Sequence, residues 1–402
     1  MYLIIVFCSS HLFVQCSSDD NKKDTEQPVI EQYTDDVIML RKFLSTSLHI
    51  DINKIIYDSG ISSFIIDGDV VMPIEEARDH YSDSSCKNSN KTNQQYSGYK
   101  MKPEMAGSVQ VYISPEVTSE WRIAINKAII IWNNTNSSIN ITTTNTTTSL
   151  SINIIMGEIP EKYTIANASY PSGGGPGKRM KINTIYMNKL NDTDRLHTII
   201  HELGHNFGLG HTEETEGSLI PCTSSKDIGS IMFGMHDDNT AFTYFDNVAI
   251  STLYPIAIGT KKLYKYRKDQ YYFYTTDPCE IIPSKDGYLL VGDAGYLYET
   301  QIPGTVPLYR ILNGSTVKDH KLNKNQTSSN DVILGYLYPT QQPGTTALYS
   351  YGIYESKPGQ TPSYMYHYDY TTTNSEAILK VIVGYVSNKT IIKETPEYPI
   401  LL

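Results

Sequence analysis

Between residues 105 and 256, apolar positions follow two different periods along the chain. Two segments keep the three- and four-residue spacing of a core-facing helix: one follows Ser114-Pro115-Glu116, which we interpret as a helix start, and the other runs from about Asp192 to Phe207. Segments 109–113 and 150–156 alternate between apolar and polar residues, as half-buried strands do. The pattern predicts an α+β domain in which a twisted sheet packs against long helices.

The preceding residues, 17–104, are predicted to form a polar tether and a small N-terminal region. An apolar stripe at helical spacing predicts a helix that includes Val37, Leu40 and Leu44. Residues 64–72 are apolar except at a central Asp67-Gly68-Asp69, which predicts a hairpin that turns at the Asp-Gly pair. A second helix is expected after Pro73, because proline suits the first turn of a helix.

An internal repeat runs through residues 257–402, which are rich in Tyr, Thr, Gly and Pro. The segment Gly295–Thr305 recurs as Gly335–Thr345, and each copy leads into a Leu-Tyr pair. Three β units of about 40–45 residues are typical of a closed repeat array. We therefore predict an all-β repeat domain of β-trefoil-like architecture, with a β-sandwich as the alternative.

Composition narrows the class of protein. The chain has 402 residues and is 40% hydrophobic and 19% charged, which suits a globular protein of two or three domains. Its formal net charge of −10 argues against nucleic acid as a partner, because that partner requires a basic face. The 5 Cys residues are too few and too scattered for a disulfide framework, although they allow one bridge.

Residues 1–16 are predicted to be a lipoprotein-type signal rather than part of the fold. Their apolar stretch is too short to span a membrane and ends at Cys16-Ser17-Ser18. This end resembles the start of a mature bacterial lipoprotein, with Cys16 as the lipidated residue and Cys8 as a second candidate. A lipid on Cys16 would anchor the protein to the outer membrane; without it the protein would be secreted.

The segment from His201 to His211 has the clearest chemistry. His201 and His205 lie one helical turn apart, so both imidazoles project from one face. Gly208 can adopt the left-handed backbone that ends the helix, which lets His211 return as a third nitrogen ligand. Three protein ligands leave a fourth position for water, as in a catalytic Zn²⁺ site. Glu202 directly follows the first ligand and can take a proton from that water.

His197, one turn before His201, falls outside this pattern. We interpret it as a surface residue or as a neighbour of the metal ligands, and not as a ligand itself.

These residues resemble the extended zinc motif of the metzincin metallopeptidases, closest to the bacterial dual-action HEIGH and matrixin-like groups, although Leu203 replaces the Ile of the HEIGH motif. The resemblance implies a methionine turn below the zinc, for which Met232 in Ser230-Ile231-Met232 is the candidate and Met235 the second choice. It also implies a sheet edge that binds an extended peptide, near residues 152–156 or 166–169. The C-terminal repeats resemble a poorly characterised bacterial repeat family, which implies no activity.

The motif and the resemblance together predict an exported zinc-dependent endopeptidase that acts on proteins or peptides, with Glu202 as the general base. The repeats would then bind a glycan or another surface ligand. The alternative is a cell-surface lipoprotein that binds glycans or proteins and carries a vestigial protease domain. A zinc-dependent amidase or other hydrolase is a third hypothesis.

The N-terminal region raises a separate question, namely whether it inhibits the enzyme. Cys86, Asp67 and Asp69 are candidates for a fourth zinc ligand in a latent form. For Cys86, a free thiol or a disulfide without that role is favoured.

Overall fold

The computed structural model describes residues 33–84, 93–96, 99–160, 164–186, 189–212, 218–224, 226–234, 239–257, 259–269, 271–281, 286–312, 320–355, 363–369 and 379–387. The predicted signal 1–16 with Cys8 and Cys16, and also Cys86 and Met235, lie outside the described residues. Within the described part, no helix combines the length and the apolar character that crossing a membrane requires.

The N-terminal region folds as a helix, a three-stranded meander and a second helix. These elements are α1 (Asp35–Leu48), β1 (Ile55–Asp58), β2 (Ser63–Ile66), β3 (Val70–Pro73) and α2 (Ile74–Ser84). Helix α1 begins after Thr34, whose hydroxyl accepts a hydrogen bond from the Val37 N–H, and it buries the predicted apolar stripe. Strands β2 and β3 pair antiparallel around Asp67 and Gly68, whose φ values of 52° and 93° suit the predicted hairpin turn.

The next part of the chain adds five strands to this meander and packs helices against them. Its elements are β4 (Asn93–Tyr96), α3 (Pro103–Ala106), β5 (Val109–Ile113), α4 (Ser119–Asn133), β6 (Ile141–Thr144), β7 (Ser151–Gly157), β8 (Ala166–Ala168), β9 (Arg179–Asn183), α5 (Asp192–Asn206), β10 (Ser218–Leu219) and α6 (Tyr244–Leu253). The resulting sheet of eight described strands has the order β1-β2-β3-β8-β9-β7-β5-β6. Strand β3 connects the meander to the rest by pairing in parallel with β8.

Helices α4 and α5 cover the sheet with their apolar faces. Trp121 and Trp132 of α4 are fully buried in this core. The indole N–H of Trp132 donates a hydrogen bond of 3.2 Å to the carbonyl of Ile200 in α5. Burial of two indole rings contributes several kcal/mol, because a buried aromatic side chain removes about 150–250 Å² of surface from water. Helix α5 is therefore held firmly against α4.

Two predictions differ from the structure. Helix α4 begins after Thr118 rather than at Ser114, because the Arg122 guanidinium donates hydrogen bonds to the carbonyls of Ser114 at 2.6 Å and Val117 at 2.9 Å and holds these residues in a turn. Strand β7, which contains residues 152–156, lies between β9 and β5 and so is not a sheet edge. The other candidate, β8, lies between β3 and β9, so neither predicted segment is an edge of the described sheet.

The described residues after 257 form a second sheet of nine strands. They are β11 (Thr260–Lys268), β12 (Tyr271–Thr275), β13 (Leu289–Tyr298), β14 (Val306–Leu312), β15 (His320–Asn323), β16 (Val332–Leu337), β17 (Thr345–Glu355), β18 (Ser363–Asp369) and β19 (Leu379–Ser387). In each successive group of three, the first strand pairs with both others. Strands β13, β16 and β19 also contact one another, through the pairs Tyr298–Tyr336, Tyr296–Ser387 and Tyr338–Tyr385.

A disulfide and several polar contacts join the second sheet to the first part of the chain. Cys222 and Cys279 form the disulfide, the single bridge that the cysteine count allows. On helix α6, the Tyr244 hydroxyl lies 2.6 Å from the Tyr266 hydroxyl. A further hydrogen bond of 2.5 Å runs from the Asn136 amide to the carboxylate of Asp293. Among the described residues, the two parts are thus joined covalently and by hydrogen bonds at helix α6 and at Asn136.

Candidate metal centre

Helix α5 gives the predicted motif a rigid base. It begins with a capping box, in which the side chains of Asn191 and Asp194 each accept a hydrogen bond from the other residue's N–H. The apolar side chains on its inner face are fully buried, at Ile199, Ile200 and Leu203. These contacts fix the rotation of the helix, and the imidazoles of His201 and His205 lie side by side with ring centroids 4.7 Å apart.

The chain reverses at Gly208, just after α5. This residue has a φ of +92°, and a Cβ there would lie 2.0 Å from the carbonyl oxygen of Tyr99. The Gly208 N–H donates to the His205 carbonyl, and the Leu209 N–H donates to the Gly204 carbonyl, each at 2.9 Å. The reversal places His211 next to the two helical histidines.

The three histidines converge through their Nε2 atoms. His201 Nε2 lies 3.0 Å from His205 Nε2 and 3.2 Å from His211 Nε2. Two ligands of a tetrahedral zinc ion, each at about 2.0–2.1 Å from it, are about 3.3 Å apart. These two separations are close to the spacing that a single zinc ion requires, and the ligand atoms of all three histidines lie within 4.8 Å of one another.

Each of these histidines uses its other ring nitrogen for a hydrogen bond. His201 Nδ1 donates to the Ile231 carbonyl at 2.8 Å, and His205 Nδ1 donates to the Leu209 carbonyl at 2.9 Å. His211 Nδ1 donates to a carboxylate oxygen of Asp67 at 2.8 Å. Each Nδ1 is thus engaged with an oxygen atom, so the Nε2 atom of each ring is the one that faces the common point and is available to a metal.

Asp69 brings a carboxylate to the same point. Its Oδ2 lies 3.0 Å from His211 Nε2, 3.6 Å from His201 Nε2 and 3.7 Å from His205 Nε2. The ligand atoms of the four residues all lie within 4.8 Å of one another. The set of three imidazoles and one carboxylate matches the nitrogen and oxygen ligands that zinc accepts.

Glu202 lies beside this group and is 3% exposed. Its Oε2 has no hydrogen-bond partner among the described residues, and neither does Oδ1 of Asp69. Burial raises the pKa of Glu202 well above its ordinary value, and the negative charge of Asp69 acts in the same direction. A divalent cation would act in the opposite direction, so a buried and a partly buried carboxylate beside three imidazoles fit a bound metal ion.

A buried turn lies beneath the histidines. A Cβ added to Gly204 would lie 2.3 Å from the Met232 sulfur, which shows how closely Met232 packs under α5. Asp246 holds the turn, because its carboxylate accepts hydrogen bonds from the Ser230 hydroxyl at 2.5 Å and the Ile231 N–H at 3.1 Å. The turn also supplies the Ile231 carbonyl that orients His201.

A cavity opens next to His201 and Glu202. It is further lined by Thr164, Ile165, His197, Thr198, Phe233 and Gly234. His197 is not part of the metal group, and it is buried rather than on the surface, with Nδ1 2.6 Å from the Asn239 carbonyl oxygen. Residues 235–238, which follow the lining residue Gly234, lie outside the described residues.

The structure thus brings together the predicted His201, Glu202, His205 and His211 and places Met232 below them, whereas Cys16 lies outside the described residues.

Two contacts of the histidines were not predicted from the sequence. Asp67 was not paired with His211, and the Tyr170 ring was not placed against His205, at 5.8 Å between centroids. The predicted turn at Asp67-Gly68-Asp69 could have indicated the contact of Asp67 with His211. Nothing in the sequence indicates the contact of Tyr170 with His205.

Comparison with known proteins gives one family match. Residues 64–253 match the model of the dual-action HEIGH metallo-peptidases. No curated protein matches the chain. Among solved structures, myroilysin is 18% identical over 40% of this chain and 98% of its own, with a TM-score of 0.30. High choriolytic enzyme 1, a hatching-enzyme zinc protease from the medaka fish Oryzias latipes, is 16% identical over 41% and 98%, with a TM-score of 0.30.

Proposed function

Because residues 64–253 belong to the dual-action HEIGH metallopeptidase family, we propose that this protein is a zinc-dependent endopeptidase with its catalytic centre on helix α5. One observation carries the proposal: a buried carboxylate, Glu202, has an unpartnered oxygen next to three imidazole nitrogens that converge on one point. This is the arrangement that hydrolysis by an activated water requires.

Each residue then has a distinct role. His201, His205 and His211 would hold the zinc ion, and Met232 would form the floor beneath them. When bound, zinc polarises the carbonyl of the peptide bond and makes water a stronger acid. Glu202 takes a proton from the attacking water and passes it to the nitrogen of the leaving amine.

Substrate binding is proposed along β8, in an extended conformation. This strand lies next to α5, and a peptide that paired with it in the place where Val70 of β3 pairs with Ala168 would be aligned with the histidines. The cavity between Thr198 and Phe233 would accept one substrate side chain beside the cut bond. Strand pairing binds any peptide sequence, which suits cleavage within a chain.

Residues 257–402 are proposed to be an accessory β-repeat domain of β-trefoil-like form, next to a protease domain at 105–256 and an N-terminal region at 17–104. The repeated pairing of three strands and the mutual contacts of β13, β16 and β19 support a threefold array. A glycan or protein ligand for this domain, and export with a lipid on Cys16, complete the proposal. Glycan binding is tested on a glycan array with the full chain, made inactive by Glu202→Gln. Lipidation of Cys16 is tested by mass spectrometry of the protein extracted from membranes.

The catalytic proposal is tested with the chain from residue 17, assayed before and after limited tryptic digestion so that an inhibited form does not hide activity. Zinc content and cleavage of a denatured, fluorescently labelled protein are measured for the unaltered chain, for Glu202→Gln and for Glu158→Gln, which changes an exposed carboxylate. Glu202→Gln should keep zinc and lose about 10²–10⁴-fold in rate, whereas Glu158→Gln should behave as the unaltered chain. Cleavage that survives Glu202→Gln, or a chelator, would refute the proposed mechanism. Zinc binding without any cleavage would favour a vestigial protease domain.

A further inference from the structure

We propose that two faces of the β-repeat domain bind unfolded polypeptide and so recruit protein substrates to the proposed protease. The second repeat unit is β14–β16 and the third is β17–β19. The side chains that define their two faces are Tyr309, Ile333 and Tyr336 in the second unit and Tyr349, Ile382 and Tyr385 in the third. The inference rests on the proposed function, because it assumes an endopeptidase with an accessory repeat domain, and it names the class of substrate.

The repeat units, of which β11–β13 is the first, pair their strands in the same register. The corresponding cross-strand pairs are Tyr264–Asp293, Tyr309–Ile333 and Tyr349–Ile382. In each described unit a register shift falls directly before the tyrosine. The leucine that precedes each tyrosine is fully buried in the core of the domain: Leu263, Leu308 and Leu348. Because successive side chains of a strand point to opposite faces, the tyrosines point away from that core.

The face of the first unit shows what this position binds. Its two tyrosines, Tyr264 and Tyr296, are 3% and 1% exposed. The Tyr264 hydroxyl lies 3.1 Å from the Ser251 hydroxyl of helix α6, and the Tyr296 hydroxyl donates to the backbone carbonyl of Asn136. The Asn136 amide in turn donates to Asp293 at 2.5 Å. The first face is therefore covered by the protease domain, and its tyrosines bind polypeptide.

The same position is open in the other two units. Ile333 is 50% exposed and Ile382 is 44% exposed, and the neighbouring Val332 and Val381 are 44% and 60% exposed. The four tyrosines of these faces are half-buried, unlike the buried pair of the first unit. Exposed apolar side chains that are grouped in this way mark an interaction surface.

The residue that replaces Asp293 favours a protein over a sugar as the ligand. Isoleucine lies at this register position in the second and third units, and valine lies where the first unit has Gly292. A sugar would bury hydroxyls against these side chains, and a buried hydroxyl without a hydrogen-bond partner is destabilising. Apolar side chains beside tyrosine hydroxyls instead suit a ligand that offers apolar side chains and backbone carbonyls. Unfolded polypeptides expose both groups.

The presence of two faces on one domain has a consequence for affinity. A long unfolded chain can contact both faces at once, and the second contact then forms within the same complex. A short peptide lacks this advantage. The faces should therefore lower the KM for unfolded proteins and leave the cleavage of short peptides unchanged.

Binding is measured by calorimetry with the chain from residue 17, made inactive by Glu202→Gln. The probe is reduced and carboxymethylated α-lactalbumin, which stays unfolded, and native α-lactalbumin is the comparison. The test variant is Ile333→Lys/Ile382→Lys. Its control is Ile123→Lys/Ile130→Lys, which adds the same charge on helix α4 at side chains that are likewise exposed.

The unfolded probe should bind at least about tenfold more tightly than native α-lactalbumin, and the test variant should lose at least about tenfold in affinity for it, because lysine is costly to bury. The control variant should bind as the parent does. If the test variant unfolds at a lower temperature than the control, Ile333→Thr/Ile382→Thr, which keeps the β-branched shape, takes its place. Equal affinity of the test and control variants for the unfolded probe would overturn the proposal, and so would equal affinity for both forms of α-lactalbumin. Loss of glycan binding alone in the test variant would assign the faces to sugars and also overturn it.

Failure of the proposed function would give a different result. With Glu202 intact, the test and control variants should cleave a short fluorogenic peptide at the same rate, and only the test variant should show a raised KM for the unfolded protein. If the unaltered chain cleaves no peptide, the proposed protease activity is refuted. The binding measurements on the Glu202→Gln chain still decide the role of the two faces in that case.

Discussion

The Nδ1 atom of His211 lies 2.8 Å from a carboxylate oxygen of Asp67, a residue 144 positions earlier in the chain. His201 and His205 bond to backbone carbonyls of the protease domain, at Ile231 and Leu209. The third histidine is thus oriented by a carboxylate from the N-terminal hairpin. A carboxylate in this position also makes the opposite ring nitrogen a stronger ligand.

This contact predicts that Asp67→Ala weakens zinc binding by about 10–100-fold, the usual effect of removing a hydrogen-bond partner from a metal-bound histidine. Asp67→Asn should lose less, because its amide oxygen still accepts the Nδ1 hydrogen. Affinity is measured by competition with a chromogenic chelator. Asp51→Ala, which removes an exposed carboxylate of the same region, is the control. An unchanged affinity in Asp67→Ala would show that His211 needs no such partner.

Close packing under helix α5 predicts a penalty for Gly204→Ala. The new Cβ would lie 2.3 Å from the Met232 sulfur and 3.0 Å from its methyl carbon. Overpacking costs about 1–3 kcal/mol, which exceeds the gain of about 1 kcal/mol that alanine brings to a helix. Urea unfolding should therefore show a less stable variant. In a Met232→Ala background, Gly204→Ala should lower the free energy of unfolding by less. Equal losses in both backgrounds would show that the contact with Met232 is not the cause.

The Glu280–Arg310 ion pair predicts a pH dependence of stability. Burial raises the pKa of Glu280, but hydrogen bonds from Arg310 and Thr275 and the charge of Arg310 outweigh it and hold the pKa below its ordinary value of 4.5. A depressed folded-state pKa gives stability that is present above the unfolded-state pKa and is lost as pH falls through the folded-state value. The difference in unfolding free energy between the unaltered chain and Glu280→Gln should therefore shrink below about pH 4.5.

Urea unfolding at a series of pH values measures this difference. In an Arg310→Met background the shrinkage should disappear, because Glu280 then has no guanidinium beside it. If the difference in unfolding free energy instead grew as the pH fell, burial and not the ion pair would determine the pKa of Glu280.

The disulfide between Cys222 and Cys279 predicts a dependence of stability on reductant. It closes a loop with a sequence separation of 57, for which chain entropy gives about 4 kcal/mol of stabilisation. Reduction should lower the unfolding midpoint of the unaltered chain toward that of the double variant Cys222→Ser/Cys279→Ser. The double variant should not respond to reductant. A response of equal size in both proteins would assign the effect to another cysteine.

Local pattern was enough to predict the elements that carry the site. The helical spacing before His201, the His-to-His distance of one turn and the glycine at 208 each depend on neighbouring residues only. The hairpin at Asp67 was likewise predicted, because an Asp-Gly pair between apolar runs favours that turn. These features appear in the structure with nearly the expected bounds.

Contacts between distant parts of the chain were not predictable in this way. The pairing of β3 with β8 and the approach of Asp67 to His211 depend on how the N-terminal region docks, which no local period encodes. The interior position of β7 has the same origin, since strand order is set by the packing of helices and by crossover connections. Asp69 was one of the candidates from the sequence, and its position beside the histidines depends on the same docking of the N-terminal region.

Asp67 and Asp69 stand on the same three-residue tip, one bonded to a metal-binding histidine and the other facing the metal position. Any movement of the tip therefore affects both contacts at once. Whenever the tip moves, the third histidine loses the carboxylate that keeps its ring in place. The affinity of the site for zinc thus depends on how firmly a segment more than 100 residues away in the sequence is docked.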